Sequence, residues 1–260
     1  MRGTLPRIEI DGHPVSSAET PDPAALQVGH FTAMQVRDGR ARGIALHLRR
    51  LDAATRELFG TGLDGDLVRD RIRHALGDDA DASLRVYVVP SGGRSMPTVI
   101  VTIKPPGGVP SEPLRLLSVA YQRPLAHLKQ LGHVGQRDAQ RLAHDKGFDD
   151  ALLVDPDGLM SETAIANIGF LADGTVVWPA APLLHGITMQ LLDQAHADRG
   201  LPSRRAPLRT ADAASHDGVI VANARGIAVV GEIDDVAVPL DLERVRELTD
   251  VYESVAWDAI

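Results

Sequence analysis

The sequence predicts an α+β protein with two lobes. Strand-like and helix-like segments are mixed without strict alternation, which favours this class over a doubly wound or all-helical fold. The 260 residues suffice for one large domain or for two smaller ones that share a core. A stretch with four prolines and two glycines, 105–113, is the best candidate for a linker. We therefore expect an N-terminal lobe over 1–108 and a C-terminal lobe over 109–260.

The first lobe is predicted to begin with strands and to continue with helices. Asp38-Gly39 marks a turn between the second strand and a short return strand. Leu48, Leu51 and Leu58 lie on one side of the first helix, which gives it a buried face. The elements predicted for this lobe are strands over 7–11, 27–36, 83–89 and 98–103, and helices over 46–59 and 67–76.

The second lobe is predicted to contain more strands and three helices. Gly147 stands where the cap of the first of these helices is expected. The last helix begins near Asp241 and places Leu242, Val245 and Leu248 on one face. The elements predicted for this lobe are strands over 114–120, 151–154, 164–171, 175–178, 218–221 and 227–233, and helices over 134–146, after Gly186 and from Asp241.

Composition and charge exclude several classes of function. The net charge of −8 is spread along the chain, which argues against nucleic acid or an anionic membrane as the main partner. The absence of cysteine excludes disulfides, thiolate metal sites and a cysteine nucleophile. No apolar run approaches the ~20 residues of a membrane span, and the first residues lack the apolar stretch of a signal peptide. We expect a soluble, cytoplasmic protein without a metal ion.

Lysine is rare in this chain. Of 27 basic residues only three are lysines, namely Lys104, Lys129 and Lys146. Arginine supplies generic positive charge elsewhere, so a retained lysine is a candidate for a chemical role as an amine. Arginine cannot take that role, because its guanidinium stays protonated. A solvated surface lysine remains the plain alternative for each of the three.

Two segments are candidate anion sites. Leu184-His185-Gly186-Ile187-Thr188 runs directly into a predicted helix, whose first N–H groups are free to bind phosphate. Helix capping by Thr188 is the simpler reading. The second segment, 221–226, is a polar break between two apolar strands and fits either an anion loop or an ordinary turn. Arg50 lies on the first long helix and is able to donate two hydrogen bonds to a phosphate, although a solvated arginine is more common there.

The order of these segments carries a family resemblance. In chain order they are HLRRL (47–51), RPLAHLK (123–129), LLVDPDGLMSETAIAN (152–167), LLHGIT (183–188) and ANARGIAVVGEID (222–234). This order resembles the class IV aminotransferases, pyridoxal 5'-phosphate (PLP) enzymes of fold type IV. The family includes branched-chain and D-amino acid aminotransferases, (R)-selective amine transaminases and aminodeoxychorismate lyases. The resemblance implies a smaller N-terminal α/β lobe, a larger C-terminal lobe with a pseudo-barrel sheet, and a homodimer.

The resemblance also implies roles for particular residues. The lysine that bonds to the cofactor falls on Lys129, and the carboxylate that pairs with the pyridine nitrogen falls on Glu162. The phosphate-binding residues of the family fall on one helix residue and two loops. The implied cofactor-binding residues are Arg50, Lys129, Glu162, Asn167, Gly186, Ile187, Thr188, Asn223 and Ala224, and the implied catalytic residue is Lys129.

The chain departs from the family pattern at three places. Met189 stands where an arginine usually follows GIT, and Asn223 replaces a threonine of the second phosphate loop. An active-site tyrosine soon after the lysine is replaced by His133 or Val134. These departures concern the fine orientation of the cofactor ring.

Three functions remain open. The first is a transaminase that moves an amino group from an amino acid, D-amino acids included, or an (R)-amine to a 2-oxo acid. The second is a 4-amino-4-deoxychorismate lyase, which the segment GHFTAMQVRDG (29–39) resembles. The lyases carry a threonine for proton relay where this chain has Ala33, and this favours the transaminase. The third is an inactive PLP-binding dimer, which the intact Lys129 and Glu162 disfavour. For the substrate carboxylate, Arg37, Arg94 and backbone N–H groups stay unranked.

Overall fold

The chain folds into two compact units, each with its own sheet. The structure is a computed structural model that describes residues 6–15, 26–91 and 96–260. The first unit comprises the chain up to Gly107 together with Leu128–Gly132 and Ala256–Ile260. The second unit comprises Gly108–His127 and His133–Val255. The boundary expected between 108 and 109 stays a prediction.

An antiparallel sheet of five strands forms the base of the first unit, in the order β2-β1-β6-β5-β3. Burial alternates along its strands, so one face is apolar. A separate two-stranded ribbon pairs β4 with β16, the last strand of the chain. The strands of this unit are β1 (Arg7–Ile10), β2 (His13–Pro14), β3 (His30–Val36), β4 (Arg40–Arg42), β5 (Ala82–Val89), β6 (Thr98–Lys104) and β16 (Trp257–Ala259).

Two helices cover the apolar face of this sheet. Helix α1 (Ile44–Phe59) ends at Gly60, which adopts the left-handed conformation (φ 71°) that glycine accepts most easily. Helix α2 (Gly65–Leu76) begins at Asp64, whose side chain accepts hydrogen bonds from two N–H groups of the first turn. Leu51 of α1 and Ile72 of α2 are buried in one apolar cluster with residues of β3, β5 and β6. On β3 and β5 the opposite face, which we call the polar face, carries Phe31, Ala33, Gln35, Ser83, Arg85 and Tyr87.

A mixed sheet of nine strands dominates the second unit. Eight strands follow the order β12-β11-β10-β13-β14-β7-β8-β9, and β15 pairs with β14. The pairs β11–β12, β14–β7 and β7–β8 are parallel, and the others are antiparallel. The strands are β7 (Leu114–Ala120), β8 (Asp150–Val154), β9 (Met160–Thr163), β10 (Asn167–Ala172), β11 (Thr175–Pro179), β12 (Arg204–Ala206), β13 (Gly218–Asn223), β14 (Gly226–Ile233) and β15 (Val236–Ala237).

Three α-helices and a short 3-10 helix pack around this sheet. Helices α4 (Ile187–Ala197) and α5 (Leu242–Glu253) share a buried cluster with the sheet, in which Trp178 is fully enclosed. Helix α3 (Val134–Asp145) packs its alanines against β8. The 3-10 helix spans Thr210–Ser215. None of the helices in the described part of the chain is long and apolar enough to cross a membrane.

The structure confirms the predicted α+β class and most predicted elements. One prediction needs correction at the candidate site. A single strand was expected over 164–171, but β9 ends at Thr163, a turn follows, and β10 begins at Asn167. The turn forms because the Thr163 hydroxyl accepts hydrogen bonds from the N–H groups of Ile165 and Ala166. Glu162 and Asn167 therefore lie on two different strands.

The second predicted strand, over 27–36, is also longer than the strand in the structure, because β3 begins only at His30. Strands β2, β9, β12, β15 and β16 are not predicted from the sequence. Each is at most four residues long, which is too short for a period-two pattern to be recognised.

Candidate active site

Lys129 lies in a short segment that is bonded to strand β3 of the first unit. The Phe31 N–H donates to the Lys129 carbonyl over 2.9 Å, and the Leu131 N–H donates to the Gly29 carbonyl over 2.7 Å. These bonds fix the backbone at the lysine and directly after it. The half-buried side chain places Nζ 4.9 Å from the centre of the Phe31 ring, a cation–π contact. The amine is thereby held on the polar face of the first sheet.

Arg50 lies on helix α1 of the same unit and has an unusual set of partners. One Nη donates to the Thr32 hydroxyl on β3, while Nε is buried and makes no hydrogen bond. Within residues 6–15, 26–91 and 96–260, no carboxylate lies at ion-pair distance from Arg50. Burial lowers the pKa of Arg50 to about 10, so the side chain is still a cation at neutral pH. A half-buried guanidinium with a buried, unbonded Nε and no carboxylate among the described residues suits an anionic ligand.

Glu162 belongs to β9 of the second unit, where a guanidinium and a backbone N–H lie against its carboxylate. Its Oε1 lies 3.2 Å from Nε of Arg123, and both side chains are buried. Its Oε2 accepts a hydrogen bond from the Leu184 N–H over 3.3 Å. Burial lowers the pKa of Arg123, and the Glu162 charge opposes that change. A cation at this distance favours the ionised form of Glu162.

Asn167 connects the start of β10 with the loop before α4. Its Nδ2 donates to the Leu184 carbonyl over 2.7 Å, and its side chain is buried. Gly186 approaches the same side chain, because a Cβ atom built at Gly186 would lie 2.1 Å from Asn167 Oδ1. Only glycine fits here without displacing Asn167. Leu184 is therefore bonded to both Glu162 and Asn167, which fixes the loop.

The two candidate phosphate loops are joined by one hydrogen bond. Ile187 and Thr188 open helix α4, whose first N–H groups have no acceptor within the helix. The Thr188 hydroxyl donates to the Asn223 carbonyl over 2.6 Å. The Asn223 side chain accepts from the Arg225 N–H over 2.8 Å, so it supports its own turn around Ala224. Helix N–H groups and a turn brought together in this way have the chemistry that suits an anion.

The structure places the predicted site residues in two groups. Lys129 and Arg50 lie in the first unit. The second unit brings the others onto neighbouring strands and loops, where hydrogen bonds connect them through Leu184 and the segment that follows it. The members of this second group are Glu162, Asn167, Gly186, Ile187, Thr188, Asn223 and Ala224.

The chemistry of these residues fits PLP. The cofactor offers a phosphate dianion, a pyridine nitrogen and an aldehyde. Arg50, with its buried Nε, and the N–H groups ahead of Thr188 suit the phosphate. Glu162, ion-paired with Arg123, suits a protonated pyridine nitrogen, and Lys129 suits the aldehyde. The assignment of each residue to its role stays a prediction.

Several contacts at the site have no signal in the sequence. Arg123 precedes Lys129 in the segment RPLAHLK, whose order does not indicate a pairing with Glu162. Thr32, His47 and Leu184 likewise take part through tertiary contacts that no motif predicts. Arg37, a candidate for the substrate carboxylate, instead donates to the carbonyls of Val36 and Gly107. The other candidate, Arg94, lies outside the described residues.

The structure shows the surroundings of the residues that depart from the family pattern. Met189 is buried in the apolar cluster around Trp178, so no charge stands after GIT. His133 precedes α3, and Val134 begins it with an exposed side chain. Neither residue replaces the hydroxyl of a tyrosine.

The fold is that of known PLP enzymes. A hypothetical aminotransferase from Mycobacterium tuberculosis, solved in a PLP-bound form, superposes with a TM-score of 0.82 at 21% identity, covering 96% of this chain and 98% of that one. A "putative 4-amino-4-deoxychorismate lyase" from Legionella pneumophila gives 0.80 at 20% identity, covering 93% and 98%. The branched-chain aminotransferase of Thermoproteus uzoniensis gives 0.80 at 20% identity, covering 95% and 93%.

The sequence comparison defines the family. The model of the family "Amino-transferase class IV" matches residues 29–233, so the chain belongs to the class IV aminotransferases, enzymes that use PLP. A protein named "probable branched-chain-amino-acid aminotransferase" from Rickettsia felis is 36% identical over 76 residues. That match spans 29% of this chain and only 26% of the Rickettsia protein. The predicted family and cofactor are confirmed.

Proposed function

We propose that the protein is a transaminase that moves an amino group from an amino acid, D-amino acids included, or an (R)-amine to a 2-oxo acid. The observation that carries the proposal is the buried Glu162 carboxylate, held beside Arg123 at 3.2 Å in the unit that also carries both phosphate loops. PLP, when bound, supplies an electron sink for the bonds of the substrate carbon.

Glu162 is the residue that keeps the sink effective. An anionic carboxylate beside the pyridine nitrogen holds a proton there. Arg123 and the Leu184 N–H both favour the ionised form of Glu162. The low-dielectric surroundings strengthen each of these interactions.

The phosphate contacts serve to orient the ring. Arg50 offers the buried Nε–H, and the loops at Ile187–Thr188 and Asn223–Ala224 offer backbone N–H groups. A fixed phosphate limits tilting, so that proton transfer occurs over a short and repeatable distance. Gly186 allows the backbone to approach closely.

Lys129 is the proposed catalytic residue. It would hold the cofactor and, as a free amine, would move a proton at the substrate carbon as acid and base. The bonds from Phe31 and Leu131 to the neighbouring backbone hold it in position for both tasks.

The Lys129→Ala variant tests the proposal. Purified wild-type protein should be yellow, and borohydride treatment followed by peptide mapping should find the cofactor on Lys129. The variant should lose both the covalent link and nearly all turnover. Lys104→Ala and Lys146→Ala, the matched controls, should retain both. Attachment at Lys104 or Lys146 would contradict the assignment.

A lyase acting on 4-amino-4-deoxychorismate is the second candidate. The structural likeness to the Legionella protein and the segment 29–39 support it. Ala33 argues against it. Ala33 lies on the same face of β3 as Phe31, the residue in contact with Lys129, so a threonine there would stand near the amine. Alanine has no proton to offer a leaving group.

A half-reaction separates the two functions. For a transaminase, an amino donor alone should bleach the yellow colour, and pyruvate or 2-oxoglutarate should restore it. A lyase should release pyruvate and 4-aminobenzoate from 4-amino-4-deoxychorismate without any acceptor. If no donor bleaches the colour and these products form, the lyase function is correct. An inactive binding protein would do neither.

A further inference from the structure

Behind Arg50 lies a buried chain of hydrogen bonds. Arg50 contacts the Thr32 hydroxyl, and that hydroxyl lies 2.6 Å from Nδ1 of His47. Thr32 has no exposed surface, and His47 is 3% exposed. Thr32 comes from β3, while His47 and Arg50 occupy neighbouring positions on one side of α1, three residues apart. These hydrogen bonds therefore connect helix α1 to the sheet through the Thr32 hydroxyl.

The donors and acceptors of these three side chains can be arranged without any negative charge. A guanidinium has donors and no acceptor, so Arg50 donates to the Thr32 oxygen. The Thr32 hydroxyl retains one proton and a second lone pair, so its contact with His47 Nδ1 is satisfied by either neutral tautomer of the imidazole.

The surroundings of His47 favour this neutral form. Burial, followed by the charges of Arg50 and Lys129, lowers the pKa of His47 well below 6.5. The imidazole is therefore uncharged at neutral pH. None of the three hydrogen-bonded side chains, Thr32, His47 and Arg50, carries a negative charge.

We propose that Thr32 and His47 are positioning residues that hold Arg50 through neutral hydrogen bonds and so reserve its positive charge for the cofactor phosphate. A carboxylate in place of Thr32 would also fix the guanidinium, but it would neutralise much of the charge that the phosphate needs. The neutral hydrogen bonds fix the orientation of the Arg50 guanidinium and leave its positive charge available to the phosphate. The inference rests on the proposed function, in which Arg50 binds that phosphate.

The test compares two ligands that differ only in the phosphate. Dissociation constants are measured for PLP and for pyridoxal on apoprotein of the wild type and of each variant. The ratio of the two constants isolates the contribution of the phosphate. Thr32→Val and His47→Leu should each weaken PLP binding about 10- to 100-fold, the range for a hydrogen bond to a charged group, and leave pyridoxal binding nearly unchanged.

Conservative variants and a matched control separate positioning from general damage. Thr32→Ser keeps the hydroxyl, and His47→Asn keeps an acceptor near the place of Nδ1, so both should restore much of the PLP preference. Thr55 is also a buried hydroxyl, on the same helix, but it contacts His30 and the Leu51 carbonyl instead of Arg50. Thr55→Val should lower the unfolding temperature without changing the ratio.

Arg50→Leu distinguishes failure of this inference from failure of the proposed function. If Arg50→Leu lowers the PLP preference while Thr32→Val and His47→Leu keep the wild-type ratio, the positioning role is wrong and the phosphate role of Arg50 survives. If Arg50→Leu keeps the wild-type ratio, both ideas fail. Equal losses for PLP and pyridoxal in Thr32→Val would also overturn the positioning role, since they indicate a structural effect alone.

Discussion

Two cations flank the Phe31 ring in the first unit. Lys129 Nζ lies 4.9 Å from the ring centre, and the guanidinium carbon of Arg85 lies 5.9 Å from it. Arg85 is exposed and pairs in register with Ala33, so it shares the polar face of the sheet. Arg37, by contrast, is occupied by backbone carbonyls. We therefore expect Arg85 to bind the carboxylate of an amino-acid substrate.

Arg85→Leu should affect substrates according to their charge. We expect the KM of an amino-acid donor to rise about tenfold or more, because a charge-assisted hydrogen bond is lost. The KM of a primary amine without a carboxylate should stay the same. Steady-state kinetics with both donors measures the difference, with Arg37→Leu as the control. A parallel rise for both donors would exclude carboxylate recognition by Arg85.

His30 makes stability depend on pH. Burial, and secondly the Arg50 charge, lower the pKa of His30 to about 4 in the folded protein. The unfolded chain has the ordinary value of about 6.5 and so binds more protons between these two pH values. The free energy of unfolding should therefore fall as pH drops from about 6.5 to about 4, by at most about 3 kcal/mol from this residue.

Urea unfolding at a series of pH values measures this effect. His30→Gln removes the titrating group, so the variant should lose less stability on acidification than the wild type. His47 contributes in the same direction, since its pKa is also lowered by burial. Identical pH dependence for His30→Gln and the wild type would show that His30 does not titrate in this way.

Among the secondary-structure elements, the start of helix α4 has the tightest packing at the site. Gly186 has φ −59° and ψ 145°, which alanine also adopts, so the backbone tolerates a Cβ atom. The obstacle is Asn167, whose Oδ1 would lie 2.1 Å from that atom. Asn167 cannot move freely, because its Nδ2 is bonded to the Leu184 carbonyl.

Gly186→Ala should consequently weaken PLP binding by about tenfold or more, because the loop must shift to relieve the contact between the new Cβ atom and Asn167. Fluorescence titration of the apoprotein measures the dissociation constant. Gly108→Ala is the matched control, since a Cβ atom at Gly108 would meet nothing within 4 Å. Unchanged PLP affinity in Gly186→Ala would contradict this prediction, since it would mean that Asn167 moves aside without weakening the binding of PLP.

The helices and the longer strands were predictable from the sequence, because each repeats its apolar pattern several times. Helix α1 was expected over 46–59 and spans Ile44–Phe59. Strand β9, which carries Glu162, was not predicted, since Met160–Thr163 has four residues and all are buried, leaving no alternation to detect. The turn after Thr163 depends on a side-chain hydroxyl and leaves no periodic signal.

The contacts within the candidate site were less predictable than its members. Motif order alone indicated Lys129, Glu162 and Thr188. The Arg123–Glu162 ion pair joins residues that are distant in the chain, and Thr32 reaches His47 only because β3 packs against α1. Such pairs follow from tertiary packing, which one sequence without homologues does not reveal.

At the scale of the whole molecule, we expect a homodimer as the smallest active unit. The family resemblance motivates this expectation. Exposed apolar side chains such as Val134, at 59% exposure, and Val236, at 61%, are consistent with a contact to a second copy. Analytical ultracentrifugation paired with an activity assay measures the oligomeric state of the active protein. A monomer that keeps full activity at nanomolar concentration would disprove the expected dimer.

The first unit is assembled from three separated stretches of chain, and this limits how the gene can recombine. A chimera joined after Gly107 would inherit Leu128–Gly132 and Ala256–Ile260 from the other parent. Phe31 would then meet a foreign backbone at the Lys129 carbonyl, and β4 would pair with a foreign last strand. A single crossover therefore cannot exchange this unit intact. Successful hybrids should inherit 29–31 and 128–131 from the same parent, however the rest is shuffled.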